Sequence, residues 1–145
     1  MSNLYPRGRI LWSLAASGLG TTISGSGNSG GWAGNGPGDI LPQADFETPV
    51  DLRDIQDVAL FVNVGGTTSS PAFQVQLDVY DDAGNVYLQL IKTASLSASG
   101  SAAPVYGGLH GGAASSYLVL PNWGRVSWTC TGGTVTATSI LLYGR

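Results

Sequence analysis

The sequence predicts an all-β protein, a single antiparallel β-sandwich or jelly roll entered through a glycine-rich N-terminal arm. Three observations lead there. Charged residues make up 10% of the 145-residue chain, against about 25% in a typical globular domain, which is too few to solvate the outer faces of a helical bundle. Hydrophobic residues make up 43%. The charge deficit is therefore filled by Gly, Ser and Thr, and the chain is not short of apolar residues in the way a disordered one is. Finally, apolar and polar residues alternate in short segments separated by turn chemistry, with no helix-length amphipathic segment between them. One domain is expected at this length, with roughly 7,000 Å² exposed out of roughly 21,600 Å² in the unfolded chain. Sandwich and jelly roll share these local signals, so strand order stays open.

The chain divides into residues 1–44, a strand followed by an arm, and residues 45–145, the sandwich. Gly8 to Leu14 (Gly-Arg-Ile-Leu-Trp-Ser-Leu) reads as one strand. Residues 18–38 hold nine glycines in 21 positions, and the backbone entropy of so many glycines predicts a long loop with no regular element. Trp12 and Trp32 would be exposed aromatics unless this arm lies against something. On this reading, deleting residues 1–38 leaves the sandwich folded. Asp51, Asp54 and Asp57 follow Thr48-Pro49, which resembles one capped helical turn.

Val58 to Val64 is a compact apolar run closed by Gly65-Gly66. Phe73, Val75, Leu77 and Val79 alternate with Gln74, Gln76, Asp78 and Tyr80, the period of a half-buried strand with its apolar face inward. Asp81 to Asn85 is turn chemistry, and Val86, Leu88 and Leu90 complete a hairpin. Tyr117 to Leu120 is a short strand stopped by Pro121. Val126, Trp128 and Cys130 alternate inward, Thr131-Gly132-Gly133-Thr134 closes a second hairpin, and Val135 to Tyr143 returns as one strand.

Charge is uneven along the chain. Residues 1–38 carry Arg7 and Arg9, net +2. Residues 39–82 carry all nine acids and Arg53, 9 − 1, net −8. Residues 83–145 carry Lys92, Arg125 and Arg145, net +3. An acidic middle repels phosphate, and no basic stripe with interleaved aromatics compensates, which argues against nucleic-acid binding. The acids either oppose a basic partner surface or lie solvated in loops. No stretch approaches the ~20 apolar residues of a membrane span, and the segment from Ile10 to Leu19 is too interrupted for a signal peptide. Cys130, the single cysteine, cannot form an internal disulfide.

Motifs with chemistry are few. Gly25, Gly27 and Gly30 match the spacing of a dinucleotide loop, and Gly27 to Gly31 spells a nucleophile elbow, but both need a following helix that the pattern lacks. His110, the only histidine, sits between glycine pairs and reads as a loop residue rather than a base for Ser29. Asp81, Asp82 and Asn85 fall short of the ligands a calcium loop requires. The carboxylates of Asp51, Asp54 and Asp57 lack the cleft of a glycosidase. No cofactor and no metal is expected, and no enzymatic activity. Trp12, Trp32, Trp123 and Trp128 would suit a sugar-binding platform, although Trp128 has the parity of a core residue and Trp123 that of a corner anchor.

The stretch from Val58 to Tyr143 resembles small β-rich structural proteins of tailed bacteriophages, of the capsid decoration (cement) type. The resemblance lies in the Val58–Val64 run with its Gly/Thr/Ser loop to Pro71, and in Gln74 to Asp81 leading to Gly84 and Val86-Tyr87-Leu88. It continues through a Ser/Ala-rich strand (Ala94 to Ala98), the Pro-x-x-Gly segment at Pro104 to Gly107, Leu118 to Val126, and the hairpin into Ile140-Leu141-Leu142. Such proteins commonly read Leu-Pro, one residue, then Trp-Arg-Val, whereas Gly124 stands here between Trp123 and Arg125. The resemblance implies a virion structural protein made in the host cytoplasm and carried on the capsid exterior. Its implied partners are the major capsid protein and, as a homotrimer, itself. Alternatives are a tail- or fibre-associated module and a carbohydrate-binding module. Candidate partner-binding residues are Arg7, Arg9, Trp12 and Trp32 on the arm, and Asp51, Asp54 and Asp57 on the acidic segment.

Overall fold

The computed structural model describes residues 8–14, 22–28, 50–80, 86–108, 120 and 122–145. In chain order the strands are β1 (Arg9–Leu14), β2 (Gly27–Asn28), β3 (Val50–Asp51), β4 (Asp57–Val64), β5 (Gly66–Thr68) and β6 (Ala72–Tyr80). They continue as β7 (Val86–Lys92), β8 (Gly100–Ser101), β9 (Val105–Gly108), β10 (Trp123–Thr131), β11 (Thr134–Thr136) and β12 (Ser139–Gly144). The protein is all-β, and its sheets are antiparallel. The first sheet runs β1-β12-β4, with β8 and β9 both on the far side of β4. The second runs β2-β10-β6-β7, with β3 beside β2 on β10. β5 and β11 form a separate two-stranded ribbon.

The two sheets bury their apolar parities against each other as a β-sandwich. β4 contributes Val58, Leu60, Val62 and Val64; β12 contributes Ile140 and Leu142. From the opposite sheet come Phe73, Val75, Leu77 and Val79 of β6, with Val126 and Cys130 of β10. The alternation predicted for β6 and β10, with the apolar run predicted for β4, thus supplies the core. A fully buried side chain such as Phe73 is worth about 3–5 kcal/mol against alanine.

Four expectations are corrected by pairing that sequence alternation does not encode. Val135 to Tyr143 is two strands, because Ala137 takes φ 48 and turns the chain between β11 and β12. Thr131 to Thr134 closes no hairpin: β10 stays in the second sheet while β11 pairs with β5 and β12 with β1 and β4. The stretch Ala94–Ala98 makes only a bridge, Leu96 to Phe73, because Thr93 Oγ1 already accepts the Val75 amide at 3.1 Å in place of a strand carbonyl. Residues 52–55 form a tight turn rather than a helical one, with Asp54 at φ 64 and the Ile55 amide on the Leu52 carbonyl at 3.1 Å. The predicted strand Tyr117–Leu120 lies outside the described residues except for Leu120, which is buried but not in a strand. The turn Asp81–Asn85 also lies outside them.

Two irregularities place side chains that strict alternation would misplace. A register shift between Ile10 and Trp12 lets both Leu11 and Trp12 pack on the core while Ile10 points outward. Shifts along β6–β7 likewise bring Leu90 and Ile91 together onto the core side.

The described parts of the N-terminal region pair with the rest of the chain. β1 is a full member of the first sheet. Residues 22–28, expected to lack regular structure, are stitched to the ribbon and the second sheet: Ile23 exchanges both backbone bonds with Val135 of β11, Gly25 does so with Cys130 of β10, and β2 pairs with Ser127 and Trp128. Glycine is required at Gly27, where a Cβ would sit 2.6 Å from the Trp128 ring. The Trp128 indole stacks on Trp12 with ring centroids 6.2 Å apart, which ties the edge of one sheet to the other.

Deleting residues 1–28 therefore removes an edge strand, the buried Ile23 and one half of an aromatic stack, and cooperative melting is expected to be lost or its midpoint to fall by more than 10 °C. Trp12→Ala alone, at a half-buried position, is expected to cost about 2 kcal/mol in denaturant titration. A truncation that melted like the full chain would return the front to the status of an arm.

Candidate functional site

The outer face of the second sheet carries the chain's buried charges. β10 and β6 pair without interruption from Trp123↔Tyr80 to Thr131↔Ala72, so Arg125 lies directly across from Asp78. Both residues are only 5% exposed. An Arg125 guanidinium nitrogen stands 3.4 Å from Asp78 Oδ2. The same oxygen accepts the Ser127 hydroxyl at 2.9 Å, and Oδ1 accepts the Gln76 side-chain amide at 2.9 Å. A buried carboxylate with one cation and two neutral donors is satisfied as an acceptor, which is the condition under which a buried ion pair is tolerated.

At one end of the sandwich lies a second, exposed cluster. Asp51 of β3 grips Arg53 through both carboxylate oxygens, at 3.0 and 2.8 Å, and also accepts the Arg53 amide at 2.9 Å. The Arg53 guanidinium sits over the Trp123 ring, 4.9 Å from its centroid. These contacts, first the side-chain hydrogen bonds from Arg53 and then its backbone amide, hold the Asp51 carboxyl at about 2. Nearby, Asp57 and the Arg145 side chain pair at 3.1 Å, while Arg145 also exchanges backbone bonds with Asp57.

The predicted partner-binding residues fall into three groups. Arg7 and Trp32 lie outside the described residues. Trp12 faces inward against Trp128. Arg9 is exposed at the start of β1, opposite Gly144, and acts on the Asp51 carboxyl as a weak favourable charge. Asp51 pairs with Arg53 and is also acted on by Arg9, Asp57 pairs with Arg145, and Asp54 stands exposed in the turn between β3 and β4. Linear charge counting missed this because two of the three arginines come from distant parts of the chain.

Of the four tryptophans Trp32 lies outside the described residues, and the other three do not share one platform. Trp123 and Trp128 have opposite parity on β10, so Trp123 lies outward beside Arg53 and Trp128 inward on Trp12. Ser29, His110, Asp81, Asp82 and Asn85 lie outside the described residues. Gly25 and Gly27, which matched a dinucleotide spacing, serve backbone pairing and close packing on Trp128. Among the described residues no group of three or more His, Cys, Asp or Glu is placed to hold a metal ion. Sequence reading passed over Asp78 and Arg125 as ordinary outward residues. The only available signal was a charged residue at a central position of each long alternating strand.

No family model and no curated protein matches the sequence. Solved structures with some likeness include that of infectious bursal disease virus Gx strain, at 9% identity and TM-score 0.27, covering 95% of this chain and 40% of that one. The infectious bursal disease virus VP2 subviral particle is 12% identical with a TM-score of 0.23, at 95% and 41% coverage. Such scores carry no argument, and the chain spans about 40% of the length of those it matches.

Two outcomes are expected at these clusters. Asp78→Asn strands the Arg125 charge and should cost about 3–5 kcal/mol, whereas the double replacement Asp78→Leu with Arg125→Met should recover most of that loss in urea titration. In a carboxyl NMR titration, Asp51 should titrate near 2 and move up toward the usual carboxylate range in Arg53→Gln. Because the folded value lies below the unfolded one, this pair stabilises above about pH 4 and its contribution is lost as pH falls toward 2, by no more than about 1 kcal/mol for so exposed a pair.

Proposed function

We propose that the chain is a non-enzymatic virion structural protein, a head decoration protein that binds and stabilises the assembled capsid of a tailed bacteriophage. The observation that carries this reading is the resemblance from Val58 to Tyr143, whose residues run through both sheets of the sandwich, from β4 to β12. Physical features agree with it. The side chains are poor in charge and rich in Ser, Thr and Gly, and such groups lose less hydration when packed against a lattice than charged ones do. Asp51 and Asp57 are matched by Arg53 and Arg145, so contact through them would proceed through polar complementarity rather than a strong field. Many copies on a symmetric shell convert a weak single contact into stable occupancy. The partners of this reading are the major capsid protein and other copies of the chain, as a homotrimer, on the capsid exterior.

A carbohydrate-binding module is the second reading, favoured by one observation, the outward Trp123 ring with Arg53 over it. Purified protein mixed with expanded capsids should co-pellet in saturable amounts and should ignore unassembled capsid subunits. Protein that stays in the supernatant but is retained by immobilised glycans, with Trp123→Ala abolishing retention, would replace the capsid reading with the sugar-binding one.

A further inference from the structure

Among the described residues, the outer face of the first sheet is the reverse of the second sheet's: its centre is apolar and aromatic, with charge only at the margin. Register places its side chains in rows across the strands. One row reads Ile10, Tyr143, Ala59 and Tyr106, from β1 through β12 and β4 to β9. The next reads Ser13, Leu141 and Phe61, and the third Ser139, Asn63 and Ser101. Ile10 is 60% exposed, Tyr106 56%, Tyr143 38% and Phe61 37%, and these are the exposed large hydrophobic side chains among the described residues. All four share this one face. The charged groups at its margin, Asp57 and Arg145, neutralise each other at 3.1 Å.

We infer that this face is a contact between two copies of the chain, packed sheet on sheet across a two-fold axis. The argument rests on charge and area. A two-fold contact sets a surface against itself, so any uncompensated charge near the axis meets its own kind. A patch of Ile, Phe and Tyr rimmed by Ser and Asn has no such conflict, because hydroxyls and amides both donate and accept. A basic, acidic or nucleic-acid partner finds no complementary charge here. The four side chains leave on the order of 350 Å² of apolar area in water. That is the size of the largest apolar patch on a typical monomer, about 300–600 Å² and often functional, and it would supply close to half of the ~800 Å² per partner that a standard interface buries. Tyrosine and phenylalanine are also the types enriched at such centres. Two flat antiparallel faces stack readily at about 30°.

This inference does not depend on the capsid reading. It concerns pairing through one face, whichever other contacts the chain makes. The test is absolute mass by light scattering on the full chain over about 1 µM to 1 mM, for wild type, Tyr106→Glu, Ile10→Glu and, as a control on the other sheet, Lys92→Glu. Melting at the lowest concentration checks that each variant is folded. The wild type and the control should reach twice the mass of the Tyr106→Glu and Ile10→Glu variants, 29.8 against 14.9 kDa (2 × 14.9) if the chain makes no other self-contact. The dissociation constant should rise about 30-fold or more in each face variant. Equal masses for wild type and folded face variants, at whatever oligomer size, would overturn the inference. So would a wild type that stays unpaired at 1 mM while neutral lipid vesicles or capsids take it up through Tyr106.

Discussion

The register between β6 and β10 is the constraint on which the rest of the structure depends. The two strands pair residue for residue over their whole length. That single alignment sends Phe73, Val75, Leu77, Val79, Val126 and Cys130 to one side and Gln76, Asp78, Arg125 and Ser127 to the other. A slip of β6 by one residue would turn Gln76 and Asp78 into the core, away from Arg125, and expose Phe73 and Leu77. The ion pair therefore does more to select the register than to add stability, since a buried pair roughly breaks even against an apolar one. The second sheet is built around this ladder, and the first sheet is the lid that its apolar face requires.

The edges of the sandwich are closed by segments that sequence reading would leave loose. On β10 the far side is occupied by the 22–28 segment and β3, so a central strand has partners on both flanks. Glycine permits this because the backbone of Gly27 can lie against the Trp128 indole. The low intrinsic order of a glycine-rich stretch is offset by four backbone hydrogen bonds exchanged by Ile23 and Gly25 with Val135 and Cys130. β7, the other edge of that sheet, carries two register shifts, a feature that twists an edge away from further pairing.

The two outer faces have opposite chemistry. One buries an ion pair under a polar network, and the other presents aromatic rings with no charge. A face whose described residues present few charges is suited to close lateral packing. The same property accounts for the low overall charge of the chain: few positions of this fold need charged solvation, and several of the charges present are matched within the molecule.

The apolar run Val58–Val64 and the alternation in Phe73–Val79 and Val126–Cys130 were enough to read the class of fold, the long strands and most of the core, because such patterns are local and each strand carries its own. The candidate site was hardly legible. Asp78 and Arg125 are 47 residues apart, and nothing local says that one faces the other. Arg145 meets Asp57 only because the chain's end lies along β4. The same limit split Val135–Tyr143 at Ala137, removed the expected hairpin at Gly132-Gly133, and drew Gly25 and Gly27 into the sandwich. What the sequence by itself determined was which residues prefer burial and where the chain can turn, since hydrophobic transfer and backbone sterics act at each residue. Which strands are neighbours, which charges pair and which apolar side chains are left facing water were decided only by the tertiary structure, because hydrogen-bond ladders and ion pairs are long-range contacts whose partners the linear order does not name.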